Sequence, residues 1–212
     1  MYMDKKIKLN GLGLTLLSTF LFAVFMLFGL TMCSYFVCIF LAIGYLMLVS
    51  GTISEEENNN KSLKYLALAF GVVYAILIFI VYFTQVTVVN KANVSSDALY
   101  VLDYRNLNLM FYLDLLGYGF MGLSTLFLGL SLVSTNKLDK TYKILLMCHG
   151  LFFLPCLIMP ITPIFDKSGG SSSNTLSGGV IALEIWCIYF LAICVIGIIS
   201  LLKKNKTSTI TE

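Results

Sequence analysis

The chain predicts an all-α integral membrane protein: six transmembrane helices in one domain, with both termini in the cytoplasm. Three observations carry that reading. First, 58% of the 212 residues are hydrophobic and 12% are charged, with a mean hydropathy of +0.90. An ordinary soluble domain carries about a quarter charged residues, and a water-soluble core of this size could not hide so much apolar surface. Second, the apolar residues gather into six runs of spanning length. Third, the basic residues fall almost entirely on one side of those runs. No segment has the mixed composition of a soluble module, so the single domain covers residues 1–212.

A spanning helix needs roughly 20 mainly apolar residues. The first run covers about Leu12–Leu30. It is long for a signal peptide and no small-x-small site follows, so it is read as a retained helix. The second, Cys33–Ile53, starts almost at once after "LTMCS", which predicts a tight helical hairpin. A polar stretch with Glu55–Glu57 precedes the third run, Tyr65–Val89. Between Asn90 and Asn106 lies the longest connection. Its "SSDALYVLDY" opens on cap-type residues and then carries apolar ones, predicting a short interfacial helix over 96–104. The fourth run, Leu107–Val133, is crowded with Gly117, Gly119, Gly122 and Gly129, small residues that let helices approach closely in lipid. The fifth, Ile144–Phe165, contains Pro155, Pro160 and Pro163, which should kink or break it. Gly179–Leu202 forms the sixth.

Lysine and arginine in short flanking segments set orientation. With the N-terminus inside, Lys5, Lys6, Lys8, Lys61, Lys64, Lys137, Lys140, Lys143, Lys203, Lys204 and Lys206 are cytoplasmic. Only Lys91, Arg105 and Lys167 are outside. Thirteen of the fourteen basic residues are lysine, as in an AT-rich genome. The expected location is the cell membrane. A further pattern concerns the two halves. "GLGLTLLSTF" from Gly11 and "GYGFMGLSTL" from Gly117 share G-x-G-x3-L-S-T, which suggests a 3+3 inverted repeat.

Several classes are excluded or unsupported. The lysines are too few and too scattered to track a nucleic-acid backbone. Six cysteines lie in or at the ends of apolar runs without a C-x-x-C, and read as packing residues. One histidine cannot make a His-cluster zinc site. "GLST" at 122–125 has Thr125 where the G-x-S-G nucleophile motif of rhomboid-type proteases needs glycine. No enzyme chemistry, cofactor or metal is expected.

Ionisable groups inside spans are the candidate functional residues. Asp114 lies about seven residues, roughly 10 Å, below the outer start of the fourth span. Glu184 lies at a similar depth in the sixth, and Gln85 in the third, so the three share one layer of the outer leaflet. Tyr82 is the nearby hydroxyl, and Arg105 the nearby cation. Arg105 is placed to pair with Asp103 or reach Glu184, not to bridge to Asp114. His149 enters from the cytoplasmic side and is expected to bond a neighbouring carbonyl or threonine. If Asp114 and Glu184 converge, the pair can hold a proton or attract a cation. The sequence therefore predicts a small transporter- or channel-like protein with an outward-facing polar pocket. The alternative is a non-catalytic membrane subunit of a larger complex, such as an immunity-type protein or the permease partner of an ATPase. Expected partners are the lipid bilayer, a small solute or cation, and either a partner protein or a second copy of the chain.

Overall fold

The computed structural model describes residues 2–55, 60–91, 93–162 and 172–210; Pro163, Lys167, Glu56 and Glu57 lie outside them. Among the described residues every regular element is helical. Six helices are long and apolar enough to cross a membrane: Met3–Leu27, Thr31–Ser54, Lys61–Val89, Leu109–Ser131, Lys137–Ile161 and Val180–Lys203. That is the architecture of a polytopic membrane protein, in which helices satisfy backbone polar groups within the apolar layer.

The helices are α1 (Tyr2–Leu27), α2 (Thr31–Glu55), α3 (Lys61–Thr84), α4 (Ser96–Leu102), α5 (Leu109–Ser131), α6 (Lys137–His149), α7 (Phe153–Ile158) and α8 (Ser172–Ile210). The first hairpin turns earlier than its sequence predicts, with α1 ending at Leu27 rather than Leu30 and α2 starting at Thr31 rather than Cys33. Its pivot is Gly29, with φ 67°. The Leu30 amide donates to the Phe25 carbonyl at 2.8 Å and the Gly29 amide to Met26 at 3.1 Å, closing α1 with a left-handed glycine cap. A π-helical turn, Gln85–Val89, continues α3. A short helix, α4, forms within the predicted stretch, with Ser95 as its cap accepting from the Ala98 amide. It ends at Leu102 and gives way to a 3-10 turn, Tyr104–Asn106.

One boundary moves for a local reason. The fifth span begins at Lys137, well before Ile144, because Asn136 caps it: its Oδ1 accepts from the Asp139 amide and its Nδ2 donates to Asp139. The same span breaks where the prolines predict. Pro155 has no N–H for the Leu151 carbonyl, and a 3-10 turn at Gly150–Phe152 separates α6 from α7. A second 3-10 turn, Met159–Ile161, holds Pro160.

Packing runs in chain order. α1 lies against α2, α2 against α3, α3 against α5, α5 against α6 and α7, α6 against α8, and α8 against α1. The spans thus close a ring, and its centre is filled: Tyr45, Tyr74, Met121 and Phe190 are all fully buried. Backbones meet most closely between α1 and α2. A methyl group on Gly11 would sit 2.3 Å from the Leu48 nitrogen, and one on Gly51 would sit 2.5 Å from the Lys8 nitrogen. In lipid this close approach replaces the drive that water gives to soluble cores.

The two glycine clusters perform different tasks. Gly11 faces α2, whereas its counterpart Gly117 faces Leu77 and Ile78 of α3. Gly13 faces open space, whereas Gly119 packs on Phe153 and Cys156 of α7. These contacts give the inverted repeat no support.

Candidate functional site

Asp114 is on the packed face of α5 with Tyr118, Met121, Thr125 and Leu128, residues three, four or seven apart. It is 2% exposed. Its Oδ2 accepts from the Tyr104 hydroxyl at 3.2 Å, and the Tyr82 hydroxyl lies beside the same carboxyl group. Its Oδ1 is buried with no hydrogen-bond partner. Around this group stand Tyr35 and Cys38 of α2, Tyr74 and Tyr82 of α3, Tyr118 of α5 and Cys156 of α7, all close enough to feel its charge. The Tyr35, Tyr82 and Tyr104 rings touch one another, with centroids 5.5, 5.8 and 6.4 Å apart.

A roof closes the site. Gln85, 1% exposed, binds both sides of the turn after α4: its Nε2 donates to the Leu102 carbonyl at 2.7 Å, and its Oε1 accepts from the Tyr104 amide at 3.0 Å. The π-helical turn sets Gln85 at this angle, and such turns recur at functional sites. Gln85 therefore positions Tyr104 and does not face Asp114 itself. Asp103 and Arg105 brace the turn from outside. The Arg105 Nε and Nη2 donate to both Asp103 oxygens, the shortest at 2.6 Å, with the arginine side chain 67% exposed. The guanidinium beside it holds the Asp103 carboxyl below the ordinary carboxylate range.

Glu184 stands apart. It is on the flank of α8 that carries Ile181, Ile185 and Ile188, which are 60%, 60% and 68% exposed. Trp186 and Phe190, one turn apart, mark the opposite, packed face. The group that feels the Glu184 charge is the buried Cys187 of its own helix, whereas the hydroxyls at the Asp114 carboxyl come from the roof and α3. Glu184 keeps one buried oxygen, Oε1, without a partner. The layer of three polar groups thus resolves into one buried carboxyl, one amide that holds the roof, and one carboxyl turned towards the rim of the bundle.

His149 forms a second buried centre. Its Nε2 accepts from the Trp186 Nε1–H at 3.0 Å, and its Nδ1 lies 2.8 Å from the Thr125 Oγ1. Indole N–H is a donor only, so the imidazole proton sits on Nδ1 and is donated to Thr125. Thr125 in turn donates to the Gly122 carbonyl at 2.8 Å. This chain ties α8, α6 and α5 together, and Tyr189 stacks beside the imidazole at 6.2 Å.

Tyr104, Tyr35, Cys38 and Tyr118 were not among the sequence candidates. Tyr104 had a signal in "LDYR": an aspartate that caps the next turn, with its Oδ1 accepting from the Arg105 amide at 2.9 Å, fixes where the tyrosine points. Among the described residues no cluster of histidine, cysteine, aspartate and glutamate has metal-ligating geometry.

Fold and site together define a class: a six-span helical membrane bundle with one carboxyl group sealed beneath a tyrosine roof. No protein-family model, curated protein or solved structure matches the chain.

Proposed function

We propose that this protein is a small carrier of the cell membrane whose exchange site is Asp114, opened and closed by the 96–106 roof. One observation carries the reading: a carboxyl group 2% exposed, with Oδ1 unpartnered, has its other oxygen bonded by a residue of a surface turn. Burying such an oxygen without a partner costs several kcal/mol, so a purely structural aspartate here would be selected against. Ionisable groups kept at membrane depth mark solute and ion paths. The lysine bias supports cytoplasmic termini, which puts the roof on the outside. The solute is a small molecule or cation whose passage requires Tyr104 to move with the roof.

The test is flux in proteoliposomes. Wild type should accelerate movement of at least one of labelled sodium, rubidium or methylamine, or dissipation of a pH gradient, and Asp114→Asn should abolish it while keeping the fold. Flux unchanged in Asp114→Asn overturns the assignment.

A second reading is favoured by Glu184. A carboxylate on a flank of exposed isoleucines, with one oxygen unpartnered, is what a helix expecting a polar neighbour looks like. On that reading the chain is a membrane subunit, and α8 meets a partner protein or a second copy. Cysteine cross-linking from positions 181 and 188 in native membranes distinguishes the two.

A further inference from the structure

We infer that the species bound and released at Asp114 is a proton, passed through the Tyr104 hydroxyl. This rests on Asp114 being the exchange site and names its ligand. Three observations converge. The groups facing Asp114 are Tyr35 and Cys38 from α2, Tyr74 and Tyr82 from α3, Tyr104 from the roof, Tyr118 from its own helix and Cys156 from α7. None is a cation, and the charged pair Asp103–Arg105 is braced outside. The first consequence is that, among the described residues, the carboxyl charge has no fixed counter-ion and must be met by something that arrives.

The donor set then decides what can arrive. A bound metal cation of the calcium or magnesium type needs about six oxygen ligands. The site offers one open carboxylate oxygen and neutral hydroxyls, and the second carboxylate, Glu184, is elsewhere. An organic ammonium needs room between aromatic faces. Here the Tyr35, Tyr82 and Tyr104 rings are already in mutual contact, the widest pair of centroids 6.4 Å apart. A proton needs neither ligands nor room.

The route is the hydrogen bond in place. Tyr104 is half-buried in the roof, and its hydroxyl donates to Asp114 Oδ2 at 3.2 Å. The hydroxyl itself points inward, so a hydronium ion reaches it when the roof lifts and gives its proton to the Tyr104 oxygen while the phenolic proton moves to Oδ2. The carboxylate becomes a carboxylic acid, the tyrosine is regenerated and one water is released. No redox partner is needed. Release is the reverse step.

Infrared difference spectroscopy of the full chain in lipid, on changing pH, reads the carboxyl directly. Wild type should show, apart from the bands of its hydrated acidic residues, one protonated-carboxyl C=O band at the high frequency of a poorly hydrated group, which appears on mild acidification as a carboxylate band disappears. Asp114→Asn should lack it, Asp114→Glu should shift it, and Glu184→Gln should retain it. Tyr104→Phe should keep the band but slow its appearance at least tenfold. The band should be indifferent to sodium, calcium or methylammonium at fixed pH. Absence of the band in wild type, its persistence in Asp114→Asn, an undiminished rate in Tyr104→Phe, or its displacement by one of those cations each overturns the proposal. Its fate is separable from that of the carrier reading: Asp114-dependent sodium flux without the band defeats only the proton, and the band without any flux defeats only the carrier.

Discussion

Replacing His149 with phenylalanine tests whether the buried chain of hydrogen bonds, rather than the aromatic packing around it, holds α5, α6 and α8 together. The imidazole is fully buried among Phe152, Trp186, Tyr189 and Phe190, with ring centroids 5.0 to 6.2 Å away. Phenylalanine is similar in shape, so most of that packing survives. What is lost is both ring-nitrogen bonds. The Thr125 hydroxyl keeps its Gly122 bond, but the Trp186 N–H, 3.0 Å from Nε2, becomes a buried donor without an acceptor. Leaving such a group unsatisfied costs about 1–3 kcal/mol, and interhelical bonds in bilayers average about 0.6 kcal/mol, so about 2 kcal/mol is expected. His149→Ala adds a cavity and should cost about 4 kcal/mol. Reversible unfolding in mixed micelles reads both, with Trp186, the only tryptophan, as the reporter. A double-mutant cycle with Thr125→Val should give a coupling of about 1 kcal/mol. Should His149→Phe prove as stable as the parent and the cycle be additive, the chain of bonds is not what holds these helices.

Three further outcomes are expected. Gln85→Leu removes both bonds to the roof, so amide exchange in 96–106 should quicken roughly tenfold or more while the bundle stays protected. Acidification should loosen the same segment, because Asp103 has a depressed folded-state pKa. Its contribution is present above the unfolded value of about 3.9, is lost as pH falls through the lower folded value, and should be missing at every pH in Asp103→Asn. Gly11→Ala, whose methyl would lie 2.3 Å from backbone, should force α1 and α2 apart and cost about 3 kcal/mol, read in the same micelle assay; a neutral result would mean that this hairpin is loosely packed.

The spans were legible because burial in lipid is written locally: a run of apolar residues, a proline without an N–H, an asparagine ahead of a helix. Asp114 stood out for the same reason, being a carboxylate amid apolar neighbours. Its partners were not legible. Tyr104 is ten residues away but reaches Asp114 only because Gln85, on another helix, holds the turn between them. Cys38 and Tyr35 arrive from α2 through packing that no short window contains. For Glu184, depth was legible and angle was also readable: it lies three and four residues from the exposed Ile181 and Ile188. The shared G-x-G-x3-L-S-T string shows the converse, since like sequences at Gly11 and Gly117 serve unlike contacts.

Every join in the helical circle except one links consecutive spans. As the chain leaves the ribosome, each new span finds its neighbour already inserted, and an open horseshoe of five can assemble without waiting. The seam between α8 and α1 must wait for the last span. Until then Tyr45 and Tyr118 lack Phe190 and Trp186, their aromatic neighbours from α8. The carboxyl-terminal span is therefore the keystone of biogenesis, and supplying it as a separate polypeptide should complete a chain truncated before it.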